Sequence, residues 1–167
     1  MDDADDRAYV RAPTLEDLVR ICAALNARGA RYVLIGGFAV ITHGAVRTTK
    51  DIDLLVDTSP ENVERIKLAL SILEDNAAAE IADSDLADYT VVRVADEVLI
   101  DLMGRACGVT YQDAIGDVET VTVQGVPIRL ASKRTLLLTK RTIRPADQID
   151  RRFLEELLAE EDNGLES

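Results

Sequence analysis

The chain has 167 residues, 47% of them hydrophobic and 30% charged, which suits one folded domain with its own core and excludes a disordered polymer. Asp and Glu number 31 against 19 Lys and Arg, and the resulting charge of −12 argues against extended binding along a DNA backbone, which needs many cations. No apolar run approaches the ~20 residues of a membrane span, and the acidic start lacks a secretory apolar segment, so a cytoplasmic protein with Cys22 and Cys107 reduced is expected.

Residues 14–28 carry Leu15, Leu18, Val19, Cys22 and Leu25 at helical spacing, with Thr14 as N-cap and Gly29 as stop. Residues 31–35 read as a short buried strand and 38–43 as a helical turn or two, which leaves Gly36-Gly37 at the junction. Residues 51–57 have strand character, with Asp57 as a turn residue. Pro60 opens a helix to about residue 74, capped by Thr58 or Ser59. The Ala- and Asp-rich stretch 76–87 reads as a loop with room for a helical turn. Residues 89–94 and 98–103 flank Ala95-Asp96-Glu97 as a hairpin, with Asp96 and Glu97 expected to be solvated. A second hairpin joins 118–123 to 126–130 through Gln124-Gly125. Ser132 caps a helix to about residue 142, and Pro145 opens a last helix to about residue 160. The expected fold is α/β (α+β), a mixed sheet of about four to six strands flanked by helices, in a single domain spanning 1–167. Flexible acidic tails are expected at 1–8 and 161–167.

The chemistry concentrates in the strand at 51–57. Side chains at i and i+2 of a strand share a face, so Asp51 and Asp53 project together, roughly 6.5–7 Å apart at the backbone. Two carboxylates beside a core repel each other and resist desolvation, and a divalent cation removes both penalties. Mg²⁺ is the default, because it takes hard oxygen ligands and keeps positions open for water and phosphate. Upstream, Gly36 and Gly37 permit positive φ and close approach of a phosphate to backbone N–H groups. Carboxylates facing a phosphate-binding turn are the minimum equipment for phosphoryl or nucleotidyl transfer. Arg47, Thr48, Thr49 and Lys50 just before the strand are either an exposed polar loop or, for Arg47 and Thr48, contacts to phosphates or acceptor. His43, the one histidine, reads as structural.

Gly36-Gly37, a helix, and then Arg47-Thr-Thr-Lys-Asp-Ile-Asp53 together resemble the DNA polymerase beta-type nucleotidyltransferase superfamily. The likeness is to its small members with Gly-Gly in place of Gly-Ser, a subset that includes abortive-infection toxins and antibiotic nucleotidyltransferases. The resemblance implies Mg²⁺ or Mn²⁺ on Asp51 and Asp53, with a third carboxylate from a neighbouring strand. Asp101, the acid embedded in Val98-Leu-Ile-Asp-Leu-Met103, is the candidate for that third ligand. The segment 138–150 resembles a family ending in which a Lys, an Arg and a following Asp close over the site, which nominates Lys140 and Arg144 for the triphosphate and Asp147 and Asp150 as tethers of those cations or caps of the last helix. The implied reaction moves an NMP from an NTP to a hydroxyl on a protein, a tRNA or a small molecule, with release of pyrophosphate. The alternative is a toxin–antitoxin or defence component that acts mainly by binding a partner protein. Gly37 departs from the many relatives that carry serine there.

Overall fold

The computed structural model describes residues 10–166, and the expected acidic tail at 1–8 lies outside them. Thr14 begins the first helix by a reciprocal capping box. Its hydroxyl accepts from the Asp17 N–H at 3.2 Å, while the Asp17 carboxylate accepts from the Thr14 N–H at 2.7 Å. Helix α1 runs Leu15–Ala27, and Gly29 leaves it at φ +67°.

Strand β1 (Tyr32–Ile35) leads directly into α2 (Gly36–Thr42), and the chain returns as β2 (Asp51–Val56), antiparallel to β1. Tyr32 pairs with Val56 and Leu34 with Leu54, so these residues share one face of the sheet. The Tyr32 hydroxyl donates to Asn26 at 3.0 Å, which fixes α1 against that face. The opposite face carries Asp51, Asp53 and Ile35, the register partner of Asp53.

Helix α3 (Pro60–Leu70) is capped by Ser59 and ends four residues before the expected residue 74. A 3₁₀ turn at Ala77–Glu80 and a short α4 (Asp85–Asp88) occupy the stretch read as a loop. The first hairpin is β3 (Val92–Ala95) and β4 (Leu99–Met103). Asp96 in its turn is not solvated as expected. It is 4% exposed, because its carboxylate accepts the N–H groups of Asp75 at 2.9 Å, Ala77 at 2.8 Å and Glu97 at 2.7 Å. Those bonds tie the chain after α3 to the hairpin, and they satisfy a buried charge with directed donors.

A two-stranded sheet of β5 (Arg105–Ala106) and β6 (Val109–Thr110) and the five-residue α5 (Tyr111–Ile115) are too short to leave a periodic signal. Strands β7 (Glu119–Val123) and β8 (Val126–Leu130) form the second expected hairpin. Helix α6 (Lys133–Thr139) stops three residues before the expected residue 142, and α7 (Pro145–Glu166) continues past residue 160. The six-stranded sheet has the order β3-β4-β2-β1-β8-β7, with β2 parallel to β4 and β1 parallel to β8. The α+β class with a mixed sheet flanked by helices is therefore observed. Among the described residues, no helix is long and apolar enough to cross a membrane.

Candidate active site

Parallel pairing of β2 with β4 decides which acids meet. Asp53 and Asp101 are direct register partners, and Asp51 stands two residues back on the same face as Asp53. One carboxylate oxygen from each of Asp51, Asp53 and Asp101 lies within 4.8 Å of the others. Burial comes first and repulsion from Asp51 and Asp101 second in pushing the Asp53 carboxyl up to about 7. Burial and the neighbouring Asp101 likewise raise Asp51. The cluster carries more negative charge than its surroundings offset. Three hard oxygen donors at this spacing fit a small divalent cation such as Mg²⁺ or Mn²⁺.

Arg93, which the sequence reading missed, is bonded to two of these acids. It is the register partner of Asp101 across the β3–β4 pair. Its Nε donates to Asp101 Oδ1 at 2.8 Å and its Nη2 to Asp101 Oδ2 at 2.9 Å, a bidentate fork, and the same Nη2 reaches Asp51 Oδ2 at 3.4 Å. The pairing depends on a three-residue turn, Asp96-Glu97-Val98; a two-residue Asp96-Glu97 turn would have put Val92 opposite Asp101.

The glycine pair faces the cluster. Gly36 has φ +75°, and a Cβ added there would overlap the Asp53 carboxylate. A Cβ at Gly37 would come 2.6 Å from Thr49 Oγ1 and 2.8 Å from Thr49 Cβ. Thr49 thus stands where a residue-37 side chain would project, and its hydroxyl donates to the Asp51 carbonyl at 3.2 Å. Gly36 lets the turn close on the strand that carries Asp51 and Asp53, and Gly37 makes room for the loop that precedes it.

The cations on the far wall are organised by the first turns of α7. Lys140, only 6% exposed, lies at the C-terminal cap of α6 with its Nζ 2.9 Å from Asp150 and 3.5 Å from Asp147. Asp150 also accepts from Arg47, and Asp147 accepts from Arg144 Nε at 3.0 Å and from the Thr142 hydroxyl. Burial opposes ionisation of Asp147, yet the Thr142 and Arg144 bonds hold its carboxyl below the ordinary value. Two acids on one helix therefore fix three cations from three segments. Lys133 does not join them but pairs with Glu161 at 2.6 Å, and Arg129 lies over the Tyr32 ring.

Gly36, Gly37, Arg47, Thr48, Asp51, Asp53, Asp101, Lys140 and Arg144 all line one cleft of about 640 Å³. His43 lies elsewhere, its Nε2 2.9 Å from the Ala131 carbonyl. A carboxylate triad on a mixed sheet, with a glycine turn on one side and tethered cations on the other, defines the nucleotidyltransferase-like class. The chain belongs to the family described as nucleotidyl transferase of unknown function (DUF2204), which matches residues 14–164. No curated protein matches it.

Proposed function

We propose that this protein is a metal-dependent nucleotidyltransferase that moves an NMP from an NTP to a hydroxyl acceptor and releases pyrophosphate. The observation that carries the reading is the convergence of Asp51, Asp53 and Asp101 within 4.8 Å in the cleft that also holds Gly36, Gly37, Lys140 and Arg144. The three acids would hold the divalent ion. Such an ion supplies charge for the triphosphate and lowers the pKa of the acceptor hydroxyl.

The rest falls to the chain itself. Backbone N–H groups at Gly36 and Gly37 receive phosphate oxygens, a role that needs the open backbone both glycines provide. Lys140 and Arg144 contact the departing β- and γ-phosphates from the opposite wall. Arg47 and Thr48 stand at the entrance, where they contact phosphate or acceptor. The acceptor oxygen forms a bond to the α-phosphorus as the bond from that phosphorus to the β-bridging oxygen breaks, and pyrophosphate leaves with that electron pair. With Asp101 assigned to the metal, the acceptor's proton is assigned to water. Asp147 and Asp150 act by holding Lys140, Arg47 and Arg144 in place, which limits the reorganisation needed when nucleotide binds.

The acceptor is a protein side chain, a tRNA end or a small hydroxylated molecule. Incubation with α-³²P-labelled NTPs, Mg²⁺ or Mn²⁺ and a total cell extract should label one of these classes. Asp51→Asn combined with Asp53→Asn should label none. Equal labelling by that double variant would overturn the reading.

A further inference from the structure

The carboxylate triad already has a cation in contact with it. Arg93 bonds both oxygens of Asp101 and reaches one oxygen of Asp51, so one cation bridges the two acids that flank Asp53 along and across the sheet. It comes from β3, the edge strand beside β4, and its side chain is 40% exposed and lines the same cleft. The fork occupies one lone-pair site on each Asp101 oxygen, so an ion bound to that carboxylate would sit beside the guanidinium. A guanidinium within hydrogen-bond reach of two ligands also repels a divalent ion placed among them.

We propose that Arg93 is an exchange cation, which holds Asp51 and Asp101 together in the metal-free protein and gives them up when the divalent ion binds. This rests on the metal-dependent reading above. Metal and the Arg93 fork then compete for the same oxygens, and by linkage each weakens the other's hold. The arginine keeps a cluster of repelling acids folded while it waits for metal, at the cost of metal affinity in the absence of nucleotide. Its exposed, edge-strand position lets the fork swing into the cleft without disturbing the core.

Two measurements test it on the whole protein, both without nucleotide. Mn²⁺ titration followed by electron paramagnetic resonance should show Arg93→Gln binding Mn²⁺ roughly tenfold more tightly than wild type, in the range usual for coupled sites. In ¹⁵N-labelled wild type, the Arg93 Nε–H resonance should move and exchange faster with water as Mg²⁺ is added, a readout that needs no variant to fold. Arg93→Gln binding Mn²⁺ no more tightly than wild type would overturn the inference and leave the metal reading intact, as would an Arg93 Nε–H signal unmoved at saturating Mg²⁺. Wild type that binds no Mn²⁺ at millimolar concentration would overturn both.

Discussion

Asp53 and Asp101 face each other as register partners across the parallel strands β2 and β4, and no loop intervenes to relieve their repulsion. The backbone ladder holds two acids together that in isolation would separate. That places a fixed electrostatic strain in the middle of the sheet, and measurable consequences follow from it.

Asp53 should make the metal-free protein less stable as pH rises. Its carboxyl ordinarily titrates at 3.8 and is pushed up to about 7 in the fold. Between those values the folded protein keeps a proton that the unfolded chain has lost, so this group's contribution to stability falls as pH increases across the window. Asp53→Asn should therefore raise the melting temperature at pH 8 and leave it near wild type at pH 4. A gain of about 1 kcal/mol corresponds to about 2–4 °C in a chain of this size. Added Mg²⁺ should close the gap by stabilising wild type alone. A variant no more stable than wild type at pH 8 would contradict this origin for the shift.

The two glycines should fail differently. Gly36→Ala meets both a positive φ and the Asp53 carboxylate, so it should cost at least about 2 kcal/mol and displace the Asp53 side chain. Gly37→Ser has an ordinary backbone but collides with Thr49, and should cost about 1–3 kcal/mol by overpacking. Combining it with Thr49→Gly, which removes both clashing atoms, should recover most of that loss. Denaturant unfolding of the three variants checks the pattern, and a Gly37→Ser loss that Thr49→Gly leaves untouched would count against it.

Asp150 and Arg144 should separate stability from binding. Asp150 is 2% exposed and holds Lys140 and Arg47, so Asp150→Ala leaves a buried cation underpartnered and should cost about 3–5 kcal/mol. Arg144 has a side chain 75% exposed, so Arg144→Ala should change stability by less than about 0.5 kcal/mol. It should still raise the KM for NTP about tenfold, the loss of one charge-assisted phosphate contact. An unchanged KM in Arg144→Ala would remove this residue from the triphosphate wall.

Local chemistry wrote most of this site into the sequence. Asp51 and Asp53 announce a shared face through strand alternation, and Asp101 stands out as an acid inside an apolar strand. What stayed hidden depends on pairing between distant segments. Nothing local says that β2 inserts between β1 and β4, or that β8 lies parallel to β1. Arg93 escaped notice because its meaning comes from hairpin register and not from its neighbours in the chain. Asp96 looked like an exposed turn residue, yet the backbone N–H groups it accepts are brought to it by the segment after α3. Gly37 reads as a missing hydroxyl in sequence, whereas in the fold its bare Cα makes room for Thr49.

The most direct test of the central claim is a crystal structure grown with Mn²⁺ and a non-hydrolysable NTP analogue, with the metal located by anomalous scattering. The account predicts a manganese peak bonded to oxygens of Asp51, Asp53 and Asp101, and a triphosphate running from the Gly36-Gly37 turn toward Lys140. A triphosphate bound away from that turn, or manganese that avoids the three carboxylates, would contradict it.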